Sequence, residues 1–180
     1  MKKYPDNVNI ETTPMDYLGK ENTKRFSLVA NIDRSKSDSV VVIMKNPKCA
    51  TCSEPDATVM NVIKYITNVK ADIFTNVGKI EILNLMPIST KDSSSLKASD
   101  FNTDEENKKM IEETIENNKN VVIAWGTYNG KHKTQYKKLC DETLNLLKRE
   151  NCNLYYIGEK NKDGTPKHGS QWKYDLPNIL

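Results

Sequence analysis

Apolar residues in this chain fall into short unbroken runs, separated by longer stretches in which they recur at helical spacing. Residues 25–33 (Arg-Phe-Ser-Leu-Val-Ala-Asn-Ile-Asp) alternate apolar and polar positions, the period-two pattern of a half-exposed strand. Residues 34–39 read as a turn, and Val40-Val41-Val42-Ile43-Met44 as a strand buried on both faces. These two segments predict an antiparallel hairpin feeding the main sheet. Val59, Val62, Ile63 and Ile66 then follow helical spacing, with Asp56 placed to cap the start. Residues 79–85 predict the next strand. Residues 86–102 form a Ser- and Lys-rich connection long enough to carry function. Thr103-Asp104-Glu105-Glu106 has the form of a capping box, and Met110, Ile111 and Ile115 give the helix behind it an apolar stripe. Residues 120–125 predict a buried strand stopped by Gly126. Leu139, Cys140, Thr143 and Leu147 mark a third helix, and residues 153–157 a last strand ended by Gly158.

Strands alternating with helices predict an α/β fold, a three-layer sandwich with a mainly parallel central sheet. With 180 residues the chain fits one domain and would cramp two. Residues 1–24 are polar and turn-rich and read as an N-terminal arm; residues 25–180 read as the single α/β domain, with a loop or tail over the sheet edge after Gly158. No apolar stretch approaches a membrane span, and Met1-Lys2-Lys3-Tyr4-Pro5-Asp6 lacks an apolar signal region, so a cytoplasmic location is the expectation.

Four polar islands punctuate this pattern: Met44-Lys45-Asn46-Pro47, Ile82-Leu83-Asn84-Leu85, Ala124-Trp125-Gly126 and Gly164-Thr165-Pro166-Lys167-His168. Three end predicted strands, and the fourth lies in the polar loop after the last one. Ends of parallel strands converge on one edge of an α/β sheet, where such folds bind ligands. Each island also has a purely structural reading. Pro47 suits a turn, Asn84 suits a strand-end amide bonding loop backbone, and Trp125 suits a core aromatic before a strand-ending glycine. His168 suits an exposed loop.

Taken together, Lys45-Asn46-Pro47, Asp56-Ala57-Thr58, Asn84-Leu85, Glu106-Asn107, Trp125-Gly126 and Asp163-Gly164-Thr165-Pro166-Lys167-His168 resemble a bacterial and phage family of uncharacterised function over residues 25–170. That family usually shows Leu-Asn-Pro-Ser-Thr at the first island; here Lys48-Cys49 stands in place of Ser-Thr, and Gly169 in place of the proline after the histidine. More distantly, the order of islands is similar to that of the uracil-DNA glycosylase superfamily. That resemblance implies a nucleobase or DNA as partner and N-glycosidic hydrolysis without a cofactor or metal. By position, Asn46 would hold the attacking water, Asn84 would read the edge of a flipped base, and His168 would stabilise the leaving group. Pro47, Trp125 and Gly126 would complete the base pocket. A non-catalytic DNA- or partner-binding module of phage or mobile-element origin is the alternative.

Charge adds a second theme. Residues 1–130 carry 17 basic against 18 acidic side chains, and residues 131–180 carry 10 against 6. The excess reads either as a solvated lysine surface or as a phosphate-binding patch including Lys131, His132, Lys133 and Lys167. Tyr128 and Trp172 are candidates for stacking on a base. Cys49-Ala50-Thr51-Cys52, after a strand and before a helix, offers a rival redox reading, although Pro55 and Asp56 start that helix after the second cysteine. One such motif supplies only two zinc ligands. Cys140 and Cys152 read as small buried hydrophobes. No phosphate-binding loop, dinucleotide fingerprint or nucleophile elbow occurs.

Overall fold

A computed structural model describes residues 3–12, 16–18, 22–48, 50, 53–90 and 92–180. Nine strands, three helices and several single-turn 3-10 segments follow one another within those residues. The strands are β1 (Asn9–Thr12), β2 (Asp16–Leu18), β3 (Asn22–Lys24), β4 (Ser27–Asn31), β5 (Asp38–Met44), β6 (Val77–Asn84), β7 (Asn120–Ile123), β8 (Asn153–Ile157) and β9 (Pro177–Ile179). The helices are α1 (Ala57–Asn68), α2 (Glu105–Asn117) and α3 (Lys133–Arg149). Seven strands form one sheet in the order β1-β4-β6-β5-β7-β8-β9, while β2 and β3 pair separately.

The fold is α/β. Its central four strands, β6-β5-β7-β8, run parallel, and β1, β4 and β9 are antiparallel additions at the two edges. The expected predominance of parallel pairing therefore holds only at the centre. The expected hairpin between residues 25–33 and 40–44 does not form. β4 pairs with β6 instead, and β5 lies between β6 and β7. The reason is burial: Val40, Val41, Val42 and Ile43 are all 0% exposed, which demands a neighbour on each edge and cover on each face. The residues read as an arm supply edge strand β1, and those read as a tail supply edge strand β9.

Alternation along β5 divides the core. Val40, Val42 and Met44 join Leu28, Ala30, Ile80 and Ile82 beneath Val59, Val62, Ile63 and Ile66 of α1. Val41 and Ile43 face the other way, joining Leu83, Val121, Ile123 and Trp125 beneath α2 and α3. Two apolar faces covered by helices make three layers. Each fully buried Val or Ile contributes about 1.5–3 kcal/mol. Asp56 caps α1 as expected, its Oδ1 accepting from Thr58 N and Val59 N, both at 2.8 Å. At α2 the cap is one residue later than expected: Asp104, not Thr103, accepts from Asn107 N at 3.0 Å, and Thr103 reaches towards Glu142. Aspartate carries a full charge at the positive helix end, which the Thr103 hydroxyl cannot match.

From β5 the chain passes through α1 to β6 on one side, then through α2 to β7 on the opposite side of β5. The connection thus reverses direction between β5 and β7. Such a reversal opens a crevice at the carboxyl ends of the strands, because the loops leaving them diverge to opposite faces.

Candidate functional site at the carboxyl edge of the sheet

Pairing between β5 and β6 continues past both strand ends. Leu85 N donates to Met44 O at 2.8 Å, Met86 N to Lys45 O at 3.0 Å, and Thr90 N to Pro47 O at 3.1 Å. The Ser89 hydroxyl donates to Lys48 O. The first island is therefore zipped to the connection after β6. Asn46 Nδ2 donates to Pro47 O at 3.0 Å and sits 3.5 Å from Ile88 O, which leaves Oδ1 as the acceptor of the amide. Lys45 projects to the other face, where its Nζ donates to Thr127 O at 2.6 Å. It also stands 5.8 and 5.6 Å from the ring centres of Tyr128 and Tyr136. Burial holds its ammonium below the usual lysine range; Lys48 adds to this, and Cys140 and Asp163 oppose it.

Asn84 closes β6 in register with Met44. It is 0% exposed, and among the described residues neither Nδ2 nor Oδ1 has a hydrogen-bond partner. Its backbone is secured instead by Asn107, whose Nδ2 donates to Asn84 O at 2.9 Å and lies 3.2 Å from Leu85 O. That secures the strand end from below and leaves the Asn84 side chain unmatched.

Beyond β7, Ala124 N donates to Ile43 O at 2.8 Å, and the chain turns at Gly126 with φ +68. A Cβ on Gly126 would lie 2.7 Å from His168 Cβ, so the histidine backbone rests directly on this glycine. Gly169 N donates to Ala124 O at 3.2 Å, and a Cβ on Gly169 would lie 2.8 Å from Val62 Cγ2 and 3.5 Å from Met44 Sδ. The fourth island is thus brought over the ends of β5 and β7. Gly169, with no side chain, lets the chain approach α1 this closely.

His168 is half-buried. Its Nδ1 accepts from Ser170 N at 3.2 Å and stands 2.8 Å from Ser170 Oγ. An Nδ1 that accepts a backbone N–H carries no proton, so the neutral ring holds its hydrogen on Nε2. Burial pulls its pKa down to about 4, assisted by the Lys45 and Lys48 ammonium groups and opposed by Asp56. At neutral pH His168 is a fixed donor, not a cation. It shares a polar cavity of about 440 Å³ with Thr127, Asn129, Asn161, Ser170 and Gln171. Those five were not singled out in the sequence. Amides and hydroxyls in loops are common, and only folding gathers them.

The remaining candidates separate. Pro47 serves through its carbonyl, which accepts from Thr90 and Asn46. The Trp125 indole, 2% exposed, lies in the core on the face opposite Asn84, and Trp172 packs 5.1 Å from Tyr65. Tyr128 is likewise buried, at 3%. Lys131 is exposed; His132 occupies the N-cap of α3 without bonding it, its ring 5.7 Å from Phe101. Lys133 opens α3, and Lys167 pairs with Asp175 at 3.3 Å. Cys49 and Cys52 lie outside the described residues; Cys140 is buried with its thiol pushed up to about 12 by desolvation.

A family model for proteins of unknown function, DUF1643, matches residues 25–169. The chain belongs to the DUF1643 family. No curated protein and no solved structure matches it. The matched span of this DUF1643 protein runs from the residue before Phe26 through Gly169, and so includes all four islands. Among the described residues, no helix is long and apolar enough to cross a membrane.

Proposed function

We propose that this protein recognises a nucleobase at the carboxyl edge of its sheet, in a fold of the uracil-DNA glycosylase type, and hydrolyses the N-glycosidic bond that holds it. The observation that carries the reading is the fully buried, unpartnered amide of Asn84 at the carboxyl end of β6, in register with Met44 of β5. One acceptor and two donors on a planar group match the hydrogen-bonding edge of a base. Burying them unmatched is unfavourable unless a ligand uses them. Access requires the strand-end loops to open.

His168 supplies the chemistry. As the glycosidic bond breaks, its electron pair moves into the base, and negative charge collects on a ring oxygen. A neutral Nε2–H aimed there stabilises that charge without first losing a proton. Asn46 Oδ1 orients the water that adds to the anomeric carbon. Its proton passes to solvent or to the departing base, because an amide does not accept it. Lys131, His132, Lys133 and Lys167 add phosphate affinity if the base arrives in DNA.

A second reading, recognition without cleavage, is favoured by the same Asn46: it offers no general base. One experiment separates the two. Short single- and double-stranded DNAs carrying uracil, hypoxanthine or alkylated bases are incubated with the protein, and abasic sites are scored by alkaline strand cleavage. Release that disappears in His168→Ala while DNA affinity persists supports hydrolysis. Salt-sensitive binding without release supports the binding module. Neither release nor binding overturns both.

A further inference from the structure

Lys45 continues the alternation of β5 on the face of Val41 and Ile43, where an aliphatic side chain would suit the apolar layer beneath α2 and α3. A half-buried ammonium in that place costs desolvation. Its bond to Thr127 O at 2.6 Å and the nearby rings of Tyr128 and Tyr136 offset that cost. A chain of hydrogen bonds continues from Thr127. Its hydroxyl stands 3.0 Å from that of Thr165. The one proton of Thr165 Oγ1 goes to Asp163 Oδ1 at 2.6 Å, so Thr127 is the donor between the two threonines. Thr165 Oγ1 also accepts from Asn161 Nδ2 at 3.1 Å, and the same amide lies 3.2 Å from Pro166 O.

Three segments far apart in sequence, the ends of β5 and β7 and the loop after β8, are joined in this way through one ammonium group. The chain of bonds ends beside His168. Gly126, against which the histidine packs, immediately precedes Thr127, and Pro166 lies two residues before the histidine. Thr127 and Asn161 also line the cavity that His168 shares.

We propose that Lys45 is a positioning residue for His168: through Thr127 and Thr165 its ammonium clamps together the β7 end and the loop that carries the histidine, and so fixes where the imidazole points. Its charge acts in the same sense. A cation near the ring opposes protonation, which keeps His168 an Nε2–H donor at neutral pH. Of the other charges facing the ring, Lys48 adds to this effect and Asp56 opposes it, while Lys167, in the same loop, pairs with Asp175. Around Lys45 itself, Cys140 and Asp163 favour the charged ammonium and Lys48 disfavours it. An apolar side chain of the same length would fill the position but supply neither the donor nor the charge. The clamp bears on base cleavage through His168 alone, and testing it needs no substrate, so either can fail without the other.

NMR titration of His168, with the ring-nitrogen shifts read for the tautomer, tests this on the whole chain. Lys45→Met keeps the packing of the side chain and removes both donor and charge. In that variant the His168 pKa should rise by about 0.5 or more, and its single tautomer should become a mixture. Lys45→Arg keeps a cation and N–H donors at the position and should restore most of the wild-type behaviour. Thr165→Val, of nearly the same shape but without the hydroxyl, breaks the chain of bonds at its far end and should move His168 in the same direction by less. The proposal is overturned if His168 keeps its pKa and tautomer in Lys45→Met, or if Lys45→Arg moves them as far as Lys45→Met does. Should Lys45→Met fail to fold, an unchanged His168 in Thr165→Val overturns it instead.

Discussion

Replacing Asn84 should make this protein more stable, the reverse of what a core substitution ordinarily does. The residue is 0% exposed, and both polar atoms of its amide lack a partner among the described residues. Each such group costs about 1–3 kcal/mol in the folded state. Valine has nearly the volume of asparagine and suits a strand, so Asn84→Val leaves little void, and the loss of packing is below about 1 kcal/mol. The balance is a gain of about 1–2 kcal/mol. At this chain length that corresponds to a rise in Tm of about 4 °C. Asn84→Asp has nearly the same shape but puts a charge or an unmatched carboxyl in the same place, and should destabilise by more than about 2 kcal/mol. Urea unfolding at pH 7.5, followed by circular dichroism, measures both. The signs should be opposite, and base recognition should be lost in each. A loss of more than about 1 kcal/mol in Asn84→Val would refute the reasoning, because it would mean the amide is hydrogen-bonded in the resting protein.

Three further outcomes follow from the same geometry. His168 has a folded-state pKa near 4 against an ordinary 6.5, so stability should be greatest above pH 6.5 and decline as pH falls from 6.5 through 4, where only the unfolded chain takes up the proton. The full difference is about 3 kcal/mol, trimmed to about 1–2 by the partial exposure of the ring. NMR titration resolves it, since His132 is the other histidine of the chain, and titration of His168 near 6.5 would contradict the site geometry. Gly126→Ala places a methyl 2.7 Å from His168 Cβ at φ +68 and should cost about 1–3 kcal/mol, while moving the His168 pKa back towards 6.5; an unchanged pKa would show that the histidine does not rest on this glycine. Finally, burial raises the Cys140 thiol to about 12, so peptide mapping after alkylation at pH 8 should find it unmodified in the folded protein, and rapid labelling would show the α3 face to be open.

Much of the fold was legible in the chain, because it rests on local periodicity. The apolar run at 40–44, the helical spacing from Val59 to Ile66 and the Asp56 cap each act over a few residues, and each forms where the pattern predicts. Pairing was not legible. β4 and β5 are neighbours in sequence and compatible in pattern, yet β6 and β7 take both edges of β5, a choice made by competition for burial among strands far apart in the chain. The candidate site divides in the same way. The islands at Asn46, Asn84 and Gly126 mark strand ends in any reading, so their common edge followed once the central strands ran parallel. That His168 would rest on Gly126 and that the Trp125 indole would face away from Asn84 depended on which faces the helices cover. The sequence by itself determined the elements, their caps and the polar residues at their ends. The tertiary structure alone decided which of those residues meet, because contacts between distant segments are set by the shared burial of two sheet faces, which no local stretch of the chain encodes.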